Sequence, residues 1–411
     1  MKIGIITNLY PPYARGGAEN VIVRTVGQLI AMGHDVFVIT GQPRKAGVTK
    51  LILDCSSTER TYRFFPPNFY FTLDDYKNAW PVRLLWHIVD AFSPVPGNIV
   101  GSILDDEKPD LVMTHNLKGL GLTIPAAIQA RGIPHLHVLH DLQLVIPSGL
   151  LLAGKEYVLT YAKPFYAVYR AICRFRMGHP GLVVSPSQFI VDQYTHYGFF
   201  KGIPFVMQPN PTPNFQPVHR AERLGGPLKL LFVGQLASHK GIVFLLDAFA
   251  KLPGDAQLLI VGEGPLTELV KTRAEADKRI VHLGYMVPDE LMKCYSVADA
   301  LVVPSLCYEN SPTVIYEALN AGIPVLASRI GGVGELVREG DTGYLFAPGV
   351  VSDFLRVVAE LDAKKDDFAK RRDEIARSVA PFSLDKYAER LLTLADHIMP
   401  PTKVVNEPEV L

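Results

Sequence analysis

Short runs of β-forming apolar residues alternate with helix-periodic segments along nearly the whole chain, and this alternation restricts the fold more than any other feature. A strand covered on both faces reads as a continuous apolar run, and a helix between successive strands makes them parallel. In the first half such runs are predicted at Lys2–Thr7, His34–Thr40, Asp110–Thr114, His135–Leu139, Gly181–Ser185 and Pro204–Gln208. Helices are expected near Ala18–Met32, Gly119–Arg131 and Ser187–Tyr197. A second series follows at Leu228–Val233, Gln257–Val261, Arg279–Leu283, Asp299–Val303, Pro324–Ala327 and Gly343–Phe346. Its helices fall near Gly241–Lys251, Pro265–Ala276, Pro288–Ser296 and Pro312–Ala321. The proline-rich stretch 208–227, ending in Gly225-Gly226-Pro227, reads as the linker between two units, 1–207 and 228–381. Phe382–Met399 reads as a last amphipathic helix that returns to the first unit, and 400–411 as a loose tail. Residues Ser57 to Val95, rich in aromatics and proline, break the alternation and read as an insertion over the first sheet. The fold class is α/β, with two parallel-sheet domains facing across a cleft.

At 411 residues the chain is about twice the size of one typical domain, in keeping with that division. Lysine and arginine (41) balance aspartate and glutamate (41), so the basic excess of a nucleic-acid partner is missing. The four cysteines are widely spaced, with no Cys-x-x-Cys pair; this argues against a disulfide framework or a zinc site. No secretory signal is visible, because Lys2–Thr7 reads directly as a strand. The apolar stretch Leu144–Ala153 is too short for a bilayer, which takes about 20 residues. A cytoplasmic protein is expected, with peripheral contact at the inner face of the membrane left open.

The most informative chemistry lies in the segment from Leu306 to Ile323, where Glu309 and Glu317 stand eight residues apart. Glu309 is placed in a loop, and Glu317 about two turns into the helix that the loop opens. Ser311 is expected to cap that helix and Pro312 to occupy its first position. The amides of Thr313 and Val314 would then lie at the positive end of a helix dipole, which suits a phosphate. Gly16-Gly17, at the start of the first helix, allows the same close backbone approach, or serves a tight turn for steric reasons alone. His140 ends an apolar strand and faces the cleft, as a hydrogen-bonding group or as a structural histidine. A metal site from His135, His137 and His140 is disfavoured, because strand alternation places the third on the opposite face. Lys240 opens a helix and either neutralises phosphate or is simply solvated. More glycine falls at strand ends in Gly262-Glu-Gly-Pro265 and Gly331-Gly-Val-Gly-Glu335.

Taken in order, these residues resemble family 4 of the retaining glycosyltransferases, whose two Rossmann-like domains form the architecture called GT-B. The resemblance runs through Gly16-Gly17-Ala-Glu19, Val138-Leu-His140-Asp141, Val184-Ser-Pro-Ser187, His239-Lys240-Gly241, Glu309-x7-Glu317 and Gly331-Gly-Val-Gly-Glu335. It implies that Gly16 and Gly17 face a donor diphosphate, that His140 stands beside the transferred sugar and that Lys240 binds the diphosphate. It further implies that Glu309 holds sugar hydroxyls and Glu317 the nucleotide ribose. Gln235 departs from the family's usual arginine, so that a second phosphate cation must come from elsewhere; Arg15 and Arg329 are candidates. Pro312 replaces a frequent glycine.

The implied reaction moves a sugar from a nucleotide-sugar donor, such as a UDP- or GDP-sugar, to the hydroxyl of a carbohydrate or lipid-linked acceptor. Anomeric configuration would be retained. The chain contains no Asp-x-Asp, which fits a leaving group stabilised without a divalent metal, and no cofactor is expected. A nucleotide-sugar epimerase or phosphorylase of the same fold stands as the alternative enzyme, and a non-catalytic nucleotide-sugar-binding scaffold as the alternative class. Tyr157–His179, mixing aromatics with basic residues, reads as a helix packed on the first domain or as a contact for anionic lipid.

Overall fold

The computed structural model describes residues 1–14, 16–44, 52–54, 58–157, 159, 163–212 and 226–399. Most of the linker stretch, the tail 400–411 and Arg15 lie outside the described residues. Eight strands form the first sheet: β1 (Lys2–Thr7), β2 (Asp35–Gly41), β3 (Ile52–Asp54), β4 (Arg60–Phe64), β5 (Leu111–Thr114), β6 (His135–Val138), β7 (Leu182–Ser185) and β8 (Phe205–Met207). Their order is β3-β4-β2-β1-β5-β6-β7-β8, parallel throughout except for the antiparallel edge pair β3–β4. The second sheet holds β9 (Lys229–Val233), β10 (Gln257–Val261), β11 (Ile280–Gly284), β12 (Ala300–Val303), β13 (Val325–Ser328) and β14 (Gly343–Phe346). Its order is β11-β10-β9-β12-β13-β14, all parallel. Helices cover both faces, so central strands are sealed: Ile3, Ile5, Leu230, Leu231, Val325 and Leu326 have no exposed surface. Each such side chain contributes about 1.5–3 kcal/mol by burial.

The C-terminal helix, Leu384–Asp396, packs on the first sheet. Its Tyr387, Ala388, Leu391 and Ala395 share a core with Ile3, Ile5, Ile22 and Leu29. The chain therefore crosses between the halves twice, and the two crossings are bonded together. Thr212 N–H donates to the Phe382 carbonyl at 2.7 Å, and the Gln208 amide to the Tyr387 carbonyl at 2.8 Å.

Two expectations change. The helix predicted over Gly119–Arg131 is confined to Ile124–Gln129. Gly119 and Gly121 adopt φ values of 86° and 135°, outside the helical region, and the Gly119 N–H turns to the Asp90 carboxylate at 3.0 Å. The region read as an insertion instead supplies strand β4 and the helix Trp80–Phe92, with a further helix, Val95–Glu107, behind it. Pro81 and Pro96 fall in the first turns of these helices, where proline removes no intrahelical bond.

Candidate active site

Carboxyl ends of both sheets face a cavity of about 630 Å³, large enough for a drug-sized ligand. All ten candidate residues line it: Gly16, Gly17, His140, Gln235, Lys240, Glu309, Ser311, Thr313, Val314 and Glu317. Two helix N-termini meet there. A Cβ placed on Gly17 would stand 3.3 Å from Thr313 Oγ1, so the helices Gly17–Ala31 and Thr313–Asn320 approach each other end to end. Their first amides have no intrahelical carbonyl to bond, and both dipoles point positive charge into one space. The Gly16 N–H is the exception, since it donates to the Glu19 carboxylate at 2.7 Å. Among the described residues, the Gly17 and Ala18 amides at that helix start have no hydrogen-bond partner.

Ser311 does not cap its helix. Its hydroxyl bonds the Tyr316 hydroxyl at 2.7 Å, and its carbonyl accepts from the Asn210 side chain at 2.9 Å. The helix starts at Thr313, with Pro312 in the cap position and contributing no side-chain bond. Glu317 accordingly lies just over one turn in, where Tyr295 OH donates to it at 3.1 Å and Arg24 stands 3.6 Å away. Burial pushes the Glu317 carboxyl up from its usual range, although Arg24 and Tyr295 pull it down.

Lys240 and Glu309 form the strongest pair in the cavity, with Nζ 2.6 Å from Oε1. The Ser305 hydroxyl donates to the same oxygen at 2.8 Å. Burial alone would raise the Glu309 carboxyl, but the charge and hydrogen bond of Lys240, with Ser305, hold it below its ordinary value. For Lys240 burial works downward, and the attraction of Glu309 outweighs it. Both groups are thus charged. Lys240 is placed by Gly241, which has a φ of 74° and where a Cβ would lie 1.8 Å from the Pro304 carbonyl oxygen. The loop bearing Glu309 is held by Gly332, whose N–H donates to the Glu309 carbonyl at 2.8 Å. Glu335 reaches back to the first domain, accepting from the Gln188 and Phe189 amides at 2.8 Å each. That carboxylate sits on the N-terminus of the helix Gln188–His196 and ties the two halves together.

His140 has a partner that sequence reasoning missed. His115 Nδ1 lies 2.8 Å from His140 Nε2, the rings stacked 5.1 Å apart. Burial pushes His140 down to about 4 and His115 well below its ordinary value, so both rings are neutral. His115 Nε2 is sealed from solvent with no hydrogen-bond partner among the described residues. A stranded N–H is rarer than a stranded acceptor, which puts the His115 proton on Nδ1. His140 then accepts at Nε2 and carries its own proton on Nδ1. His135 and His137 share the Thr114 hydroxyl, at 2.7 and 2.8 Å, on the other side of the strand.

Gln235 is exposed on the cavity rim. Arg329 does not replace the missing cation: it lies off the cavity wall and pairs with Glu339 at 2.5 Å. Arg24, on the first helix, is the arginine that the cavity does contain. Its position about two turns beyond the Gly16-Gly17 helix start was the available signal, since that spacing keeps it on the same helix face and its side chain leans back toward the N-terminus. Tyr285, Met286, Pro288 and Leu291 form a more apolar end of the cavity.

Two parallel-sheet α/β halves closed around a cavity rich in anion-binding groups define the GT-B class of glycosyltransferases. Residues 15–211 match the model for Glycosyltransferase Family 4, and residues 227–363 that for Glycosyl transferases group 1. The chain belongs to the family 4 glycosyltransferases. It is 28% identical over 353 residues to an uncharacterized 42.6 kDa protein in the cps region of Klebsiella pneumoniae, covering 82% of this chain and 88% of that one. It is 33% identical over 172 residues to the lipopolysaccharide 1,2-N-acetylglucosaminetransferase of Salmonella typhimurium, a match covering 39% of this chain and 44% of that one. The fold is also that of Anabaena HepE, solved in complex with UDP, with a TM-score of 0.69 at 17% identity over 97% of this chain and all (100%) of that one.

Proposed function

We propose that the chain transfers a hexosyl group from a nucleoside-diphosphate sugar to an acceptor hydroxyl, with retention and without a metal ion. The observation that carries this reading is the convergence of the Lys240 ammonium with two helix N-termini on one cavity. Those groups suit a diphosphate, before and after it leaves. In the reaction the bond from the anomeric carbon to the diphosphate oxygen breaks, and its electron pair leaves with the nucleotide. A bond to the acceptor oxygen forms, and the acceptor proton ends on the departing diphosphate. Lys240 and the amides of Gly17, Thr313 and Val314 stabilise the charge that develops there. Gln235 adds a neutral donor at the rim. Glu309 takes sugar hydroxyls on the side away from Lys240, and Glu317 takes the ribose. The His140 Nδ1–H donates to the sugar or acceptor hydroxyl. The base lies against Tyr285, Met286, Pro288 and Leu291. The acceptor is a carbohydrate or a lipid-linked sugar.

The test incubates the protein with a panel of UDP- and GDP-sugars, with and without mixed acceptors and with chelator present. Acceptor-dependent release of nucleoside diphosphate, and a product whose anomeric proton coupling matches that of the donor, are expected. Isomerised donor sugar formed without acceptor would assign an epimerase instead. Release only when divalent metal is restored would refute the metal-independent reading.

A further inference from the structure

Two neighbouring helices on the first domain carry their apolar residues on the wrong side. In the helix Trp80–Phe92 the buried face holds Trp86, Asp90 and Ala91, yet Leu85, Ile88 and Phe92 (51%, 47% and 48% exposed) form a second apolar stripe facing outward. The helix Lys163–Met177 is more extreme: Arg170 is buried, while Phe165, Val168 and Phe175 are 48%, 61% and 76% exposed. A surface helix ordinarily turns charge outward, and a helix that is apolar all round is ordinarily covered. The two stripes meet, because the Arg176 guanidinium lies 4.8 Å from the Phe92 ring and 5.6 Å from the Phe175 ring. Trp80, 75% exposed, extends the patch at the first helix's start.

We infer that this face docks on an anionic lipid bilayer. The charge on these two helices is one-sided: Arg83, Lys163, Arg170, Arg174 and Arg176 against Asp90 alone, and Asp90 is buried on Gly119. Arg83 is matched by Asp75 in the preceding turn, Arg170 is buried, and Arg174 turns to the Tyr197 carbonyl at 2.9 Å and to the buried Phe199 ring, which leaves Lys163 and Arg176 as the basic residues bordering the apolar stripes. Exposed aromatic and aliphatic side chains interleaved with Lys and Arg suit the boundary between headgroups and acyl chains. A second copy of the chain is disfavoured, since a two-fold contact would press like charges together. No helix among the described residues is long and apolar enough to cross a membrane, so contact would be peripheral. The docking face is separate from the donor cavity, and it stands or falls independently of the proposed transfer.

The experiment is co-flotation of the full chain with vesicles of neutral lipid alone, and of neutral lipid with one-third anionic lipid. Two basic residues, each worth about fivefold near such a surface, predict binding about 25-fold tighter to the anionic vesicles and weakened by salt. Leu85→Ser with Phe175→Ser should lower that binding at least tenfold while leaving the melting temperature and nucleoside-diphosphate binding unchanged. Lys163→Glu, on an exposed position, provides a second variant whose fold is not at stake. Absence of binding to anionic vesicles would overturn the proposal, as would equal binding by the wild type and both variants. A wild-type dimer in light scattering that these substitutions convert to monomer would assign the face to a second copy instead.

Discussion

Replacing Lys240 by methionine tests the centre of the site. The Lys240–Glu309 pair is 2.6 Å long, with the Glu309 side chain 14% exposed and that of Lys240 32% exposed. Removing one partner of a buried pair costs about 3–5 kcal/mol, because the other charge is left in a poor medium. Here the lysine's partial access to water lowers the expectation to about 2–3 kcal/mol. Ser305 remains as a donor to Glu309, so the carboxylate is not wholly abandoned. The loss should depend on pH. In the wild type Glu309 is held below its ordinary value, so its contribution is present above about pH 4.5 and fades as pH falls. Without Lys240, burial dominates and lifts the carboxyl; the variant then loses stability as pH rises above about 4.5, toward the raised value. Urea denaturation at pH 5 and pH 8 should therefore show a gap between wild type and Lys240→Met that widens at pH 8. Adding Glu309→Gln should restore most of it. Donor affinity should not return with stability: loss of a charged hydrogen bond of about 1.5–3 kcal/mol weakens nucleoside-diphosphate binding about 10- to 150-fold in both variants. Equal destabilisation by the single and double substitutions at both pH values would refute the reasoning.

Three further positions are open to test. Burial pushes Asp90 up to about 7 from 3.8, against the pull of the Gly119 amide. A folded value above the unfolded one means that stability is full below about pH 4 and falls as pH rises toward 7, by about 4 kcal/mol in all. Asp90→Asn should relieve this by about 1–3 kcal/mol at pH 8, the unpartnered amide hydrogens opposing the gain; scanning calorimetry at pH 5 and 8 checks it, and an unchanged pH trend in the variant refutes it. His140→Ala should lower turnover far more than donor affinity, and near wild-type turnover would exclude its role. His115→Leu removes the donor that fixes the His140 proton on Nδ1, and turnover should fall about tenfold with KM for the donor little changed. His115→Asn, which can still donate, should recover part of that loss and the pH profile.

The parallel sheets were legible because strands sealed on both faces are apolar from end to end, and only long-range order among them had to be inferred. Strand β4 escaped notice for the opposite reason. Its two arginines look like surface residues, yet Arg60 is matched by Glu107 and Asp35, and Arg63 donates to the Tyr10 and Pro11 carbonyls. Those partners are distant in sequence, so no local pattern could show them. Site residues were found where a local rule applied: glycines at helix starts, a lysine before a helix and a pair of carboxylates at fixed spacing. Ser311 shows the limit of such rules, since a good cap was drawn away by Tyr316. His115 shows the same limit. Its importance lies in a ring 25 residues further on, and a lone histidine after a strand carries no mark of that.

The returning C-terminal helix has a consequence for synthesis. Tyr387, Ala388, Leu391 and Ala395 complete the core around Ile22 and Leu29, yet the ribosome makes them long after the half that they complete. At ~5–20 residues per second they emerge on the order of ten to forty seconds after Thr212. Throughout that interval the earlier-made half presents a bare greasy flank to solvent or to a chaperone. Nascent chains stalled before residue 384 should be sticky and protease-sensitive in that half, and only synthesis and docking of the helix Leu384–Asp396 closes it.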